Sequence, residues 1–172
     1  NVHGLLYMLG NAPVTDLNEL KGKVVYSIGE GGTPDYVFKY VLDAAGIAYE
    51  KGVEPVADKV VISYVEGGPA LIPLLKTGKA EYGIIGEPAA TNATKATGKV
   101  VALDLQQEWK KATLKVEGTE YALPQASVVI SGELAKNYPA FVTAFLAKLQ
   151  EANAWLPQNI AAAQTAMQNL GS

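Results

Sequence analysis

The chain has 172 residues, a net charge of −3 and the apolar (49%) and charged (18%) fractions of a globular domain, which exclude a disordered chain. All 14 basic residues are lysines, so nucleic acid is not an expected partner, because phosphate and base recognition rely on clustered basic groups and on arginine. The absence of cysteine excludes thiol catalysis, disulfides and zinc–thiolate sites.

The first residues have the apolar pattern of a segment from the middle of a fold. Neither a signal peptide nor an initiator Met precedes the apolar run of residues 5–9. We therefore expect an N-terminal portion to be missing. His3 is the only histidine, and no sequence partner indicates a metal or catalytic role for it, so it is expected to face solvent or to pack.

A strand–turn–helix unit follows. Residues 24–28 form a β-branched run that predicts a buried strand, and the glycine-rich residues 29–32 end it. A helix is expected next, with Thr33 as its N-cap and with Pro34 and Asp35 in its first turn. Its predicted apolar face consists of Val37, Tyr40, Val41 and Ala44, and Gly46 ends it.

The next segments repeat this plan. Residues 59–65 predict a strand and residues 66–69 a turn, and Leu71, Leu74 and Leu75 form the face of a helix that stops at Gly78. Pro73 lies inside this helix, which therefore either starts late or kinks. Two further strands are predicted at residues 81–86 and 99–103, and a helix of small residues runs between them from Glu87–Pro88 to Thr94.

The C-terminal third is predicted to contain a hairpin and two helices. The hairpin would pair residues 113–116 with residues 127–130 around a turn at Glu117–Gly118. One helix would be capped by Asn137, with Pro139 in its first turn, and an alanine-rich helix would span residues 159–169. Alternating strands and helices predict an α/β fold with a largely parallel sheet, to which the hairpin adds an antiparallel strand.

The turn between Ser27 and Pro34 is the strongest candidate for ligand contact. Its glycines permit close backbone approach, and a helix N-terminus favours a small anion or a polar oxygen. The turn lacks the last glycine of a dinucleotide site and the Gly-Lys-Ser/Thr of a P-loop, and a tight βα turn without ligand is the alternative.

Two more turns are expected at the same carboxyl edge of the sheet, where open α/β folds bind ligands. Glu87 would either accept hydrogen bonds from a ligand or cap a helix, and Gln125 would either point into a cleft or satisfy a turn. The candidate ligand-binding residues are Ser27, Gly29, Glu30, Gly31, Gly32, Thr33, Gly67, Gly68, Glu87, Pro88 and Gln125. Neither a catalytic residue, a metal site nor a cofactor is predicted.

Several segments together resemble one protein family. The segments are 20–25 with 31–35, the leucine-rich stretch 70–82, Glu87–Ala90, and residues 123–130 with the helix at 137–139. In this order and spacing they resemble the second lobe of type II periplasmic binding proteins of ABC importers. The most similar subgroup binds sulfonates, nitrate, taurine and thiamine precursors.

This resemblance implies a three-layer α/β lobe, with a mixed, mostly parallel sheet and helices on both faces. Residues 1–10 would be a crossover to a first lobe, residues 11–130 the ligand-binding lobe, and residues 131–172 helices returning toward the first lobe. Residues 2–9 and the strand ending near Ile130 would be the two crossovers, and Ser27 with the turns after the strands would face the cleft.

The implied function is capture of a small solute between two lobes that close around it. The solute would be a sulfonate, a nitrate-like oxyanion, or a pyrimidine or other aromatic compound. The partners would be the membrane permease subunits, the location extracytoplasmic in a bacterium, with or without a lipid anchor, and the full-length protein a monomer. The alternatives are an enzyme of thiamine-pyrimidine synthesis on the same fold and a ligand-sensing domain of a receptor or regulator.

Overall fold

The computed structural model describes residues 2–170, with side chains from Gly4 onward. The expectation for the His3 side chain lies outside these. The chain divides into two compact units, one ending at Ser127 and the other beginning at Val128. No helix in the described part of the chain combines the length and the apolarity needed to cross a bilayer.

The first unit is an α/β domain with a six-stranded mixed sheet. The strands are β2 (Leu6–Gly10), β3 (Val24–Ile28), β4 (Tyr49–Lys51), β5 (Val60–Val65), β6 (Tyr82–Gly86) and β7 (Val100–Asp104), in the order β4-β5-β3-β6-β2-β7. Strands β4, β5, β3 and β6 are parallel, and β2 runs antiparallel to both β6 and β7. A separate two-stranded ladder joins β1 (Val2–His3) to β8 (Pro124–Ala126).

Helices cover both faces of this sheet, as predicted. They are α1 (Thr33–Ala45), α2 (Gly68–Thr77), α3 (Ala89–Thr97) and α4 (Leu105–Glu117). Alternate strand residues belong to two different apolar clusters. Leu6, Met8 and Ile84 pack in the cluster that contains Phe38 of α1, whereas Leu9 and Ile85 pack in the cluster that contains the leucines of α2. The result is a three-layer domain.

Both strand–turn–helix units are confirmed, with small shifts at the helix starts. Gly32 rather than Thr33 is the N-cap of α1, and the buried face includes Phe38 and Leu42 in place of Tyr40 and Ala44. Helix α2 runs continuously through Pro73. Pro73 is the sixth residue of this helix and has no amide hydrogen, so the carbonyl of Pro69 in the first turn lacks its i+4 donor.

The predicted hairpin is wrong. Residues 105–117 form α4, because Asp104 caps it by accepting hydrogen bonds from the amides of Gln106 (2.9 Å) and Gln107 (3.3 Å). The alternation over residues 113–116 covers only four positions, and it is outweighed by the helical spacing of Leu105, Ala112 and Thr113, which are buried. Residues 127–130 are not a strand either; the return strand is β8.

The antiparallel strand of the sheet is therefore β2 and not part of a hairpin. Residues 6–10, which were expected in a crossover, form a strand inside the sheet, and Leu6, Met8 and Leu9 are fully buried. An apolar run that is buried on both faces is typical of a central strand.

The second unit is helical, with α5 (Gly132–Asn137), α6 (Pro139–Trp155) and α7 (Ile160–Asn169). Helix α7 matches its prediction within one residue, whereas α5 was not predicted, and the N-cap of α6 is Tyr138 rather than Asn137, because Asn137 is the last residue of α5. None of the described residues of this unit is buried.

Candidate functional site

Three strand-to-helix turns lie at the carboxyl edge of the parallel strands. They follow β3, β5 and β6, which are neighbours in the order β5-β3-β6. The glycine-rich turn after β3 therefore lies between the turn at Glu66–Gly67 and the turn at Glu87–Pro88. The sequence predicted this common edge, and the parallel pairing places all three turns there.

Hydrogen bonds hold the glycine-rich turn in a defined shape. The Gly29 amide donates to Val65 O (3.2 Å), and the Gly32 amide donates to Gly29 O (2.9 Å). Gly29 and Gly31 have φ values of +69° and +72°, which other residues adopt only with strain. In the described part of the chain the amides of Glu30 and Thr33 have no acceptor in hydrogen-bonding geometry, and both residues are exposed.

A buried carboxylate organises this turn from inside. Asp35 is 2% exposed, although it lies in the first turn of α1. Its Oδ2 accepts hydrogen bonds from the Gly31 amide (2.9 Å) and from Lys39 Nζ (3.1 Å), and its Oδ1 accepts one from the Tyr64 hydroxyl (2.6 Å). Asp35 thereby ties the tip of the turn to α1 and to β5.

This network keeps Asp35 ionised. Burial raises the pKa of its carboxyl, but the three hydrogen bonds outweigh burial, and the pKa lies below its ordinary value. The hydrogen bond to Asp35 raises the pKa of Lys39. Burial, followed by the bond to Asp35, raises the pKa of Tyr64 to about 12. All three groups therefore hold their protonation states at neutral pH.

The outer side of the turn carries a second ion pair. Glu30 accepts from Lys51 Nζ at 2.6 Å, and both side chains are more than half exposed. The ammonium groups of Lys39 and Lys51 each lie 5.7 Å from the centre of the Tyr64 ring. The ring of Tyr64 is thus in contact with two cations.

Two other residues that were predicted to contact a ligand are buried inside the unit and do not lie at its surface. Ser27 is fully buried, and its hydroxyl donates to Ile28 O (3.3 Å). Gly68 is buried at the start of α2, where an added Cβ would lie 3.3 Å from Ile85 Cδ1 and 3.5 Å from Ala89 Cβ. Its lack of a side chain allows α2 to pack closely against β6 and α3.

In the turn after β6, Glu87 caps helix α3, which is one of the two roles predicted for it. The two oxygens of its carboxylate accept hydrogen bonds from the Thr91 amide (3.0 Å) and the Thr91 hydroxyl (2.9 Å) at the start of α3. The Glu87 amide donates to Leu5 O (3.0 Å), and Pro88 is exposed. Among the described side chains, no group of three His, Cys, Asp or Glu residues is placed to hold a metal ion.

The family model that matches this chain is that of the NMT1-like family, and the match covers residues 12–171. The chain belongs to the NMT1-like family. No curated protein is similar enough to count as a relative of this NMT1-like chain.

Two solved structures resemble this NMT1-like chain in fold. One is an ABC transporter protein from Parabacteroides distasonis, with 20% identity and a TM-score of 0.60, covering 95% of this chain and 50% of the other. The second is protein AF1704 from Archaeoglobus fulgidus, with 18% identity and a TM-score of 0.50, covering 97% and 52%. The NMT1-like chain thus spans about half the length of either protein.

The sequence analysis did not identify Tyr7 and Asp104, which lie at the carboxyl edge of the sheet in this NMT1-like chain. Strand β2 starts at this edge and β7 ends there, since Tyr7 is in register with Asp104. Burial raises the pKa of Tyr7, and the charges of Asp104 and Glu87 raise it further. Nothing in the sequence indicated this, because β2 was expected outside the sheet.

Gln106 was also missed; it connects the segments that enter and leave this unit. The Leu123 amide donates to Gln106 Oε1 (3.2 Å), and the Gly4 amide donates to Leu123 O (3.1 Å). The same Oε1 lies 3.3 Å from where a Cβ on Gly4 would be. Gln106 Nε2 is buried without an acceptor in the described residues, and Oε1 of Gln125, two residues after Leu123, is buried without a donor there.

We expect Gln106→Ala to release the Leu123 amide. Losing one buried hydrogen bond should speed exchange of this amide with deuterium by about tenfold, as measured by NMR. Gln107→Ala is the matched control, because Gln107 is exposed and uses only its backbone amide to cap α4. Equal protection of Leu123 in both variants would show that Gln106 does not hold this segment.

Proposed function

We propose that this chain is the second lobe and the C-terminal part of a solute-binding protein that delivers a small molecule to an ABC importer. The observation that carries the proposal is the meeting of three exposed strand-to-helix turns at one sheet edge, in a chain half as long as an ABC transporter protein of the same fold. The crevice at the carboxyl ends of parallel strands is where open α/β folds bind ligands.

The entry and exit segments support a two-lobed arrangement. Strands β1 and β8 pair antiparallel outside the main sheet, with Val2 opposite Ala126. In the proposal these two strands are the crossovers to a first lobe. They bend when the lobes close, and closure is driven by a ligand that contacts both lobes only in the closed state.

The second unit supports the assignment of a missing first lobe. Phe141, Phe145, Leu146 and Leu149 of α6 are each at least 38% exposed. A row of apolar side chains at helical spacing is typical of a helix that packs on another surface. We assign that surface to the first lobe, so that residues from 131 onward complete it.

The remaining parts of the proposal follow from this role. The protein acts outside the cytoplasmic membrane of a bacterium and docks on permease subunits in its closed form. It is a monomer at full length and needs no cofactor. The free amides of Glu30 and Thr33 and the backbone at Gly67 are the groups this lobe offers to the solute.

A ligand screen of the full-length protein tests the proposal. We expect at least one small solute to raise its melting temperature and to reduce its radius of gyration in X-ray scattering, without being consumed. Conversion of the solute into a product would favour the thiamine-pyrimidine enzyme instead. A DNA-binding or kinase segment in the full-length chain would favour a sensor.

A further inference from the structure

The N-terminus of α1 has the features of an anion site, but a side chain of the protein already accepts from one of the amides of the preceding turn. Helix N-termini bind anions through free amides and the helix dipole. Here the Gly31 amide donates to Asp35 Oδ2 at 2.9 Å, in the way it would donate to a bound oxyanion. The Tyr64 hydroxyl donates to the other oxygen at 2.6 Å.

The two lysine ammonium groups near this turn already form ion pairs within the protein. Lys39 Nζ lies 2.9 Å from Asp35 Oδ1, and Lys51 Nζ lies 2.6 Å from Glu30 Oε1. Each ammonium is therefore matched by one carboxylate. Across the same edge Glu66, Glu87 and Asp104 add negative charge, and none of the three turns contains a lysine.

We infer that Asp35 is a specificity-determining residue of the proposed solute site, because its carboxylate takes the place of an anionic ligand at the glycine-rich turn. The group of the solute that reaches this lobe is uncharged or cationic and presents hydrogen-bond acceptors to the two free amides. Sulfonate and nitrate groups are excluded from this turn. The inference rests on the proposed function.

The ionisation state of Asp35 agrees with this assignment. The hydrogen bonds that it accepts keep its pKa below the ordinary value, so the carboxylate is charged throughout the neutral range. An oxyanion entering the turn would meet this charge, and neither Lys39 nor Lys51 would be free to compensate for it. Like charges in a shared site repel strongly.

NMR titration of the 172-residue chain tests the inference directly. Sodium nitrate and sodium methanesulfonate are added against sodium chloride at the same ionic strength. We expect the amide signals of Gly31, Gly32 and Thr33 to move no more than that of Gly22, which lies in a turn before β3. A saturable shift of the Gly31 signal with either oxyanion would overturn the inference, and this result requires no variant.

A charge-removing variant provides the converse test. In Asp35→Asn the Lys39 ammonium loses its counter-charge, so nitrate should cause a saturable shift of the Gly31 amide signal that the wild type does not show. Glu50→Gln is the matched control, because it also removes one carboxylate from an ion pair, with Lys59, which precedes β5 at the opposite end of that strand from the turns. No gain in nitrate binding by folded Asp35→Asn relative to Glu50→Gln would contradict the role of Asp35.

The two proposals fail in different ways. If the full-length protein binds a sulfonate through the glycine-rich turn, the inference about Asp35 is wrong, whereas the solute-binding function stands. If the full-length protein binds no small solute, the function is wrong, whereas the nitrate titrations still report on the turn.

Discussion

Asp35→Ala is expected to lower the free energy of unfolding of the first unit by about 3 kcal/mol. The substitution leaves the Gly31 amide and the Tyr64 hydroxyl without their acceptor, and it leaves the partly buried Lys39 ammonium without its counter-charge. Urea unfolding followed by tryptophan fluorescence measures the change. A Trp155→Phe background leaves Trp109, in the first unit, as the only tryptophan.

Glu50→Ala is the control for this measurement. Glu50 and Lys59 form an ion pair in which both side chains are more than 40% exposed, so its loss should cost about 0–1 kcal/mol. Equal losses for the two variants would show that the Asp35 network contributes no more than a surface ion pair.

The contribution of Asp35 should also depend on pH. Its pKa is lower in the folded chain than in the unfolded chain, so the folded state gains stability from this group above about pH 4. This stability should be lost as the pH falls through the folded-state pKa. Asp35→Asn should remove that part of the acid sensitivity, and an unchanged difference between pH 6 and pH 3 would contradict the assignment.

Gly31→Val in the full-length protein should abolish stabilisation by whichever solute the ligand screen identifies. Gly31 is exposed at the tip of the turn with φ of +72°, and a Cβ there would meet only the Tyr36 hydroxyl, at 4.0 Å. The valine side chain would therefore project from the turn into the space proposed for the solute, and its strained backbone would displace the adjacent free amides.

Gly22→Val separates this effect from backbone strain. Gly22 has φ of +74° and no atom within 4 Å of an added Cβ, and it precedes β3, at the opposite end of the strand. Both variants should lose about 1–2 kcal/mol of stability, because a non-glycine residue is strained in this conformation. Undiminished solute stabilisation in Gly31→Val would remove the turn from the proposed site.

The two strand–turn–helix units were predictable because their signals are local. The β-branched run at residues 24–28 and the prolines at helix starts act within a few residues of where they stand. Gly46 and Gly78 end α1 and α2 as expected. Once two such units follow each other, parallel pairing and a shared carboxyl edge follow from the right-handed crossover of βαβ connections.

The errors occurred where distant segments decide the outcome. Residues 6–10 could be placed in the sheet only by knowing that β6 and β7 flank them on either side. The segment 113–116 has a weak two-residue alternation, and its helical state depends on the Asp104 cap and on packing of α4 against α1. Local propensity is a weak prior that tertiary contacts override.

The sequence by itself determined the α/β class, the order of the main units and the three turns at one edge, because hydrophobic periodicity and turn residues act over short distances. Only the tertiary structure decided what each turn residue does. The sequence placed Asp35 only in the first turn of α1, whereas in the structure it is a buried acceptor for groups 4 and 29 positions away in the chain. Charge partners that come together through folding leave no local pattern in the sequence, so the hydrogen bonds of Asp35 could be found only in the tertiary structure.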